Sequence, residues 1–85
     1  MEIIFNSKSL ADIEYWKSSG KIRIQKKIEG LLKAIASDPY TGIGKPEPLK
    51  HEWSGCWSRR INSEHRLVYK IERNCAKILS LKDHY

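Results

Sequence analysis

The stretch IQKKIEGLLKAI, residues 24–35, is the clearest structural signal in the chain. Its apolar residues recur at i, i+4, i+7, i+8 and i+11, and are Ile24, Ile28, Leu31, Leu32 and Ile35. This spacing places them on one side of a helix, so it predicts an amphipathic helix whose apolar side packs on a core. Pro39 disfavours helical backbone at Asp38, which predicts that the helix ends there.

A shorter helix precedes this one, and strand patterns lie on both sides of the pair. Leu10, Ile13 and Trp16 predict a helix that ends near Gly20, and the segment from Ser9 to Asp12 is a weak relative of a capping box. Residues 3–5 form a short apolar strand candidate. Beyond the Pro- and Gly-rich loop of residues 37–50 the period becomes that of strands, with candidates at residues 50–53, 56–61, 65–72 and 75–83.

These elements predict a single α+β domain over residues 1–85. The turns at residues 54–55, 62–64 and 73–74 are short, and short turns join neighbouring antiparallel strands. The order β-α-α-β-β-β-β therefore predicts two N-terminal helices packed on one face of a small antiparallel sheet. The opposite face would remain available to a ligand.

Composition narrows the choice of partner and compartment. The chain has 16 Lys and Arg against 10 Asp and Glu, and its net charge of +6 favours an acidic partner such as nucleic acid. No apolar run approaches the roughly 18 residues of a membrane span, and no secretion signal is recognised, so a cytoplasmic protein without membrane association is expected. Cys56 and Cys75 are then expected to be small buried thiols, since a reducing compartment disfavours a disulfide.

Three residues have the chemistry that metal-independent RNA cleavage requires. Glu47, held stiffly between two prolines, can act as a base towards a 2′-hydroxyl. The planar fork of Arg66 suits a phosphodiester, and His84 can protonate the departing oxygen. Tyr85 can stack on a base or hydrogen-bond a phosphate. The alternatives are a rigid surface loop around Glu47 and a frayed end at residues 84–85.

Basic residues interleaved with aromatic ones favour RNA as the partner, although a solvated charged surface is the common alternative. The candidate RNA-binding residues are Lys50, His51, Arg59 and Arg60. Because side chains alternate along a strand, Arg59 and Arg60 point to opposite faces, and only one of them can join a given site. Neither cysteine lies in a metal-binding pattern, so we expect no metal and no cofactor.

Four segments carry a resemblance to a known family. They are GKPEPLKH at residues 44–51, GCWSRRI at residues 55–61, EHRLVY at residues 64–69 and the final His84-Tyr85. In these segments the chain resembles the YoeB-type toxins of bacterial toxin–antitoxin modules, within the RelE-like superfamily. The resemblance covers nearly the whole chain and implies a compact α+β fold like that of microbial ribonucleases.

The resemblance also implies an activity: ribosome-dependent cleavage of mRNA in the A site, which inhibits translation. It implies that Glu47 is the base, that Arg66 binds the phosphate and that His84 is the acid, with Tyr85 as the family's terminal tyrosine. Lys50 and Arg60 match basic positions around the RNA. The implied partners are the ribosome, mRNA and a YefM-like antitoxin with an acidic C-terminal segment, and dimers within the family leave a homodimer open.

A second class of function stays open beside this one. Related members of the superfamily inhibit DNA gyrase by binding, and small basic proteins can simply occupy RNA. A non-catalytic inhibitor of either kind would not need the set of Glu47, Arg66 and His84. Its binding would survive loss of these groups with a change only in salt-dependent affinity.

Overall fold

Two helices and a five-stranded sheet make up the computed structural model, which describes residues 1–83. The elements in chain order are β1 (Glu2–Phe5), α1 (Ser7–Ser19), α2 (Ile22–Ser37), β2 (Glu47–Pro48), a 3-10 helix (His51–Trp53), β3 (Trp57–Arg60), β4 (Arg66–Glu72) and β5 (Cys75–Ser80). The predicted α+β fold, with two helices before a small sheet, is confirmed.

Helix α2 follows the apolar spacing from which it was predicted. Ile28, Leu31 and Ile35 are buried along one side of the helix. The helix ends at Ser37, and Asp38 is extended because the pyrrolidine ring of Pro39 disfavours helical backbone before it.

The order of strands in the sheet is β1-β5-β4-β3-β2. Strands β2 to β5 form the predicted antiparallel meander. Strand β1 instead pairs in parallel with β5, with Ile3 opposite Ala76, so the sheet is mixed rather than wholly antiparallel. The turn between β4 and β5 has positive φ at Arg73 and Asn74, as the tight turns that join twisted antiparallel strands require.

Two strand predictions were wrong in position. Residues 50–53 are not a strand: His51 has a φ of +60°, which an extended strand does not accommodate, and residues 51–53 form the 3-10 helix. The strand in this region is the two-residue β2. Strand β5 ends at Ser80 rather than Asp83, because the main chain beyond Ser80 bonds to side chains of α1 and of the β3–β4 turn.

The hydrophobic core lies between the helices and one face of the sheet. Helix residues Trp16 and Leu31 meet strand residues Leu67, Tyr69 and Ile78 there, all of them almost fully buried. Since successive strand residues point to opposite faces, the neighbours of Leu67 along β4 lie on the other face of the sheet.

The remaining sequence expectations concern membranes and thiols. Within residues 1–83, neither helix combines the length and the apolar character of a membrane span. Cys56 and Cys75 are unpaired, and Cys56 is buried as expected whereas Cys75 is only partly so.

Candidate active site

Strand register brings four polar residues together on the face opposite the core. Glu47 in β2 lies directly across from Ser58 in β3, and Arg60 in β3 lies across from Arg66 in β4. Ser58 and Arg60 are two positions apart, so they share a face. The predicted pair Glu47 and Arg66 is therefore assembled by two successive strand pairings.

A short ion pair joins the two predicted residues. Nη1 of Arg66 donates a 2.7 Å hydrogen bond to Oε1 of Glu47 and a 3.3 Å hydrogen bond to Oγ of Ser58. Ser58 is fully buried, and its hydroxyl accepts a hydrogen bond that limits the orientation of the Arg66 guanidinium. Sequence reasoning missed Ser58, although its spacing from Arg60 along a predicted strand would have placed it on the same face.

Within residues 1–83, most of the N–H donors of the Arg66 guanidinium have no hydrogen-bond partner. A guanidinium has five N–H donors, and only Nη1 is engaged by side chains among residues 1–83. The Nε and Nη2 donors make no hydrogen bond within this range. They can therefore meet the two oxygens of a phosphate in parallel, which is the geometry that suits an arginine fork.

The charges around Glu47 keep it ionised. The hydrogen bond from Arg66 lowers the pKa of the Glu47 carboxyl, and the charge of Arg66 lowers it further. The charges of Arg60 and Lys45 add smaller contributions in the same direction. Glu47 is thus a carboxylate at neutral pH, and an ionised carboxylate can accept a proton from a hydroxyl held beside it.

Arg59 does not belong to this site, and the prediction that it binds RNA was wrong. Its side chain is fully buried on the core face, opposite Leu67. The guanidinium donates to the carbonyl oxygens of Asp38, Thr41 and Ile43 at 2.8, 2.9 and 3.1 Å. The buried guanidinium of Arg59 therefore cannot contact a ligand. Its hydrogen bonds instead hold the loop between α2 and β2.

The same loop contains a glycine that packing requires. Gly44 has a φ of +84°, and a Cβ at this position would lie 2.6 Å from Cδ2 of Leu31. Its carbonyl accepts a 2.7 Å hydrogen bond from the main-chain N–H of Arg60. Together with Arg59, this contact fixes the main chain shortly before Glu47.

The other predicted RNA-binding residues differ in their distance from the ion pair. Arg60 is exposed across from Arg66, and a groove beside them is lined by Arg60, Asn62, Ser63 and Arg66. A neighbouring groove extends from Arg60 to Lys45 and Lys27. Lys50 and His51 are exposed further along, where β2 gives way to the 3-10 helix. Within residues 1–83, the side chains of Lys50, His51 and Arg60 make no hydrogen bond or ion pair.

The predicted residues His84 and Tyr85 lie outside the described residues. Asp83, which precedes them, accepts a 3.0 Å hydrogen bond from the main-chain N–H of Arg66. In residues 1–83, no three His, Cys, Asp or Glu side chains are grouped so that they could hold a metal ion.

Comparisons with known proteins identify the class of protein. The YoeB/ParE toxin of Agrobacterium tumefaciens superposes with a TM-score of 0.94 at 36% identity, covering 100% of both chains. Two structures of Staphylococcus aureus YoeB, a complex with YefM and a dimer, superpose with TM-scores of 0.88 and 0.89 at 44% identity, covering 100% of this chain and 98% of theirs. The fold is that of the small RelE-like bacterial toxins.

The sequence comparisons then define the family. The model of the YoeB-like toxins of bacterial type II toxin–antitoxin systems matches residues 5–85. Toxin YoeB of Synechocystis sp. is 52% identical over 85 residues, which span 100% of this chain and 98% of that protein. The chain belongs to the YoeB-like toxin family, and the resemblance found in the sequence is confirmed.

Proposed function

We propose that this toxin is an endoribonuclease that cleaves mRNA in the A site of the ribosome and thereby stops translation. The observation that carries the proposal is the ion pair between the exposed Glu47 and the partly exposed Arg66, beside the exposed Arg60. It supplies an ionised carboxylate beside a guanidinium whose Nε and Nη2 donors make no hydrogen bond within residues 1–83. These are two of the three groups that cleavage without a metal requires.

The proposed reaction begins with proton transfer from a ribose 2′-hydroxyl to the carboxylate of Glu47. The 2′-oxygen attacks the adjacent phosphorus and forms a new P–O bond as the bond to the 5′-oxygen breaks. The departing 5′-oxygen takes a proton from His84, which leaves a 2′,3′-cyclic phosphate and a 5′-hydroxyl. In this step Glu47 gains one proton, His84 loses one, and one P–O bond forms as another breaks, so no further reactant is required.

Arg66 is proposed to stabilise the charge that builds on the phosphate oxygens. Donors that point to developing charge in a partly dehydrated site are worth more than the same donors in water. Ser58 supports this role, because its hydroxyl accepts from the guanidinium and limits the orientations of the fork. The exposed residues Arg60, Lys50 and His51 are proposed to contact the RNA backbone, which Arg59 cannot reach.

His84 is proposed as the acid, and Tyr85 as a residue that stacks on a base or bonds to a phosphate. Support for His84 comes from its neighbour in the chain. The Asp83 carbonyl belongs to the peptide unit that joins Asp83 to His84, and it accepts from the main-chain N–H of Arg66.

The proposed partners follow from charge and from relatives. A YefM-like antitoxin is proposed to bind with an acidic segment, since the chain carries a charge of +6 and YoeB of S. aureus has been solved with YefM. The acidic segment would compete with RNA for the same arginines. A homodimer is proposed because the S. aureus protein also forms one, and the cytoplasm is proposed as the compartment because ribosomes are the target.

The test is translation in vitro of a defined mRNA with purified toxin, read by primer extension with and without ribosomes. The variants are Glu47→Gln and His84→Gln. Glu29→Gln is the matched control, because Glu29 is an exposed carboxylate paired with Lys33 on α2 and the substitution makes the same charge change. The proposal predicts a cut in the A-site codon with wild type and control, only when ribosomes are present, and greatly reduced cutting in both site variants.

Two results would contradict the proposal. Inhibited translation without a cut would favour the non-catalytic inhibitor, and a supercoiling assay with DNA gyrase would then identify the other target class. A cut that both site variants make at the wild-type rate would show that Glu47 and His84 are not the groups that transfer protons.

A further inference from the structure

The main chain of residues 81–83 leaves the sheet but is held by side chains on two sides. Helix α1 contacts both polar groups of Leu81. The carboxylate of Asp12 accepts from the Leu81 N–H at 2.9 Å, and Nε1 of Trp16 donates to the Leu81 carbonyl at 2.8 Å. Asp12 and Trp16 are one helical turn apart, so they act on the same peptide segment from one side of the helix.

The turn between β3 and β4 holds the next part of the segment. Nδ1 of His65 accepts a 2.8 Å hydrogen bond from the main-chain N–H of Asp83. The His65 ring also packs edge-to-face against Trp16, with ring centroids 5.0 Å apart at 80°. The His65 ring is therefore fixed between Trp16 of helix α1 and the main chain of Asp83.

His65 is itself anchored. Its N–H donates a 2.8 Å hydrogen bond to the side chain of Asn62, and its carbonyl accepts from the N–H of Ile61 at 2.9 Å. Its neighbour Arg66 donates to the Asp83 carbonyl. Both polar main-chain groups of Asp83 are thus bonded, one to His65 and one to Arg66.

Asp83 needs this support because its backbone is strained. Its φ is +71°, in the left-handed region that residues other than glycine enter only at a cost. Such a conformation persists where the surroundings determine it, and functional sites are where it is concentrated. Without the bond from His65, the extended conformation that residues other than glycine prefer would become available to Asp83.

We propose that His65 is a positioning residue for the reaction, because it fixes the main chain of the residue to which His84 is joined. This inference rests on the proposed function of His84 as the acid. It requires the neutral ring to carry its proton on Nε2, since only an unprotonated Nδ1 can accept from Asp83. The aromatic contact with Trp16 orients the ring, and the Nδ1 acceptor acts on Asp83.

Two substitutions separate these contributions. His65→Phe keeps an aromatic ring against Trp16 but removes the acceptor. His65→Asn loses the ring but places a carbonyl oxygen at the position of Nδ1. Glu64→Ala is the control, because Glu64 is exposed in the same turn and its main-chain N–H still bonds to Asn62.

The experiment measures single-turnover cleavage on programmed ribosomes as a function of toxin concentration, together with amide exchange at Asp83. In His65→Phe we expect the maximal rate constant to fall by about 10- to 100-fold while the half-saturating concentration stays unchanged, because displacement of a reacting group by an ångström has an effect of this size. Exchange at Asp83 should accelerate in the same variant. His65→Asn should recover most of both losses, and Glu64→Ala should match the wild type.

Several outcomes would overturn the inference. One is wild-type cleavage by His65→Phe, and another is an equal loss in the Phe and Asn variants. If thermal melting shows that His65→Phe is unfolded, His65→Asn is compared with His65→Gln, whose carbonyl lies one carbon too far from Asp83, and equal rates would refute the role. A wild-type protein that makes no cut would instead overturn the proposed function itself.

A measurement on the wild type needs no substitution. The nitrogen chemical shifts of the His65 imidazole should report an Nδ1 that carries no proton and accepts a hydrogen bond. An Nδ1–H ring would be incompatible with the bond from Asp83 and would refute the inference.

Discussion

The Nη1 atom of Arg66 lies 2.7 Å from Oε1 of Glu47, although 19 positions separate the two residues in the chain. The Glu47 side chain is 52% exposed, and ion pairs as open to water as this contribute little to stability. The importance of the pair therefore lies in the protonation state of the carboxylate and in the orientation of the guanidinium.

The first prediction concerns the titration of Glu47. Arg66→Gln removes the main cause of the lowered pKa, so the pKa of Glu47 should rise towards its ordinary value while Arg60 and Lys45 still hold it somewhat down. Carboxyl carbon shifts followed by NMR over a pH series measure this. Glu72 is the internal control, because Lys77 and Lys70 lower its pKa independently of Arg66.

The sign of the accompanying stability change follows from linkage. A carboxyl whose pKa is lowered on folding contributes stability above its unfolded-state pKa, and this contribution is lost as the pH falls through the folded-state pKa. Wild type and Arg66→Gln should therefore converge in stability on acidification. Identical Glu47 midpoints in the two proteins would contradict the assigned cause.

The second prediction concerns the shape of Arg66 rather than its charge. Arg66→Lys keeps a cation near Glu47 and Ser58 but replaces the planar fork by a single ammonium group. We expect cleavage on ribosomes to fall by about 100-fold, the scale on which loss of a preorganised donor reduces turnover. Primer extension over a time course measures it, and unchanged cleavage would show that a point charge suffices.

The third prediction compares two adjacent arginines. Arg59→Leu removes the donor to the carbonyl oxygens of Asp38, Thr41 and Ile43, whose three hydrogen bonds tie an exposed loop to a fully buried side chain. Because a hydrogen bond to a charged group contributes about 1.5–3 kcal/mol and three such bonds are lost, the free energy of unfolding should fall by several kcal/mol. Urea denaturation measures the change.

Arg60→Leu is the matched control for this loss, since it removes the same group from the exposed face of the same strand. A surface substitution of this kind changes the free energy of unfolding by about 0.5 kcal/mol at most. Equal destabilisation by the two substitutions would refute the structural role of Arg59.

The fourth prediction concerns Trp16 in α1. Trp16→Phe keeps an aromatic side chain in the core but leaves the Leu81 carbonyl without its donor. The lost hydrogen bond should lower the free energy of unfolding by about 1–3 kcal/mol beyond the loss of packing. Trp57→Phe is the comparison, because Nε1 of Trp57 makes no hydrogen bond within residues 1–83. A smaller loss in Trp16→Phe than in Trp57→Phe would contradict the argument.

The fifth prediction concerns RNA affinity. Glu47→Gln is the background for the binding measurements. The logarithm of the binding constant for single-stranded RNA should fall linearly with the logarithm of salt concentration. Arg60→Gln should reduce the slope of this line by about 0.7 if Arg60 contacts one phosphate. Fluorescence anisotropy over a salt series measures the slope. Lys33→Gln on α2 serves as the control of equal charge change, and an equal slope change there would indicate only a general effect of net charge.

Sequence patterns predicted those parts of the fold that depend on local spacing. The apolar residues of α2 recur at helical spacing, and alternation along β3 correctly placed Arg59 and Arg60 on opposite faces. Alternation alone could not say which face is the core, because that depends on how β3 pairs with β4. The burial of Arg59 follows from its place opposite Leu67.

Other features depend on contacts that leave no local signal. The parallel pairing of β1 with β5 joins segments from opposite ends of the described chain, and nothing in residues 2–5 specifies it. The strand at Glu47 has only two residues, too few for a visible alternation. Asp12 resembled a helix-capping residue in the sequence, whereas its carboxylate in fact bonds to Leu81.

The position of β5 in the sheet has a consequence for the synthesis of the toxin. Strand β5 lies between β1 and β4 in the sheet. The sheet therefore lacks an interior strand until residues 75–80 have left the ribosome. The first strand to emerge cannot find its partner until most of the chain has been translated, and domains generally fold as units during synthesis. A nascent toxin therefore cannot complete the sheet on which Glu47 and Arg66 lie until nearly all of the described chain has emerged.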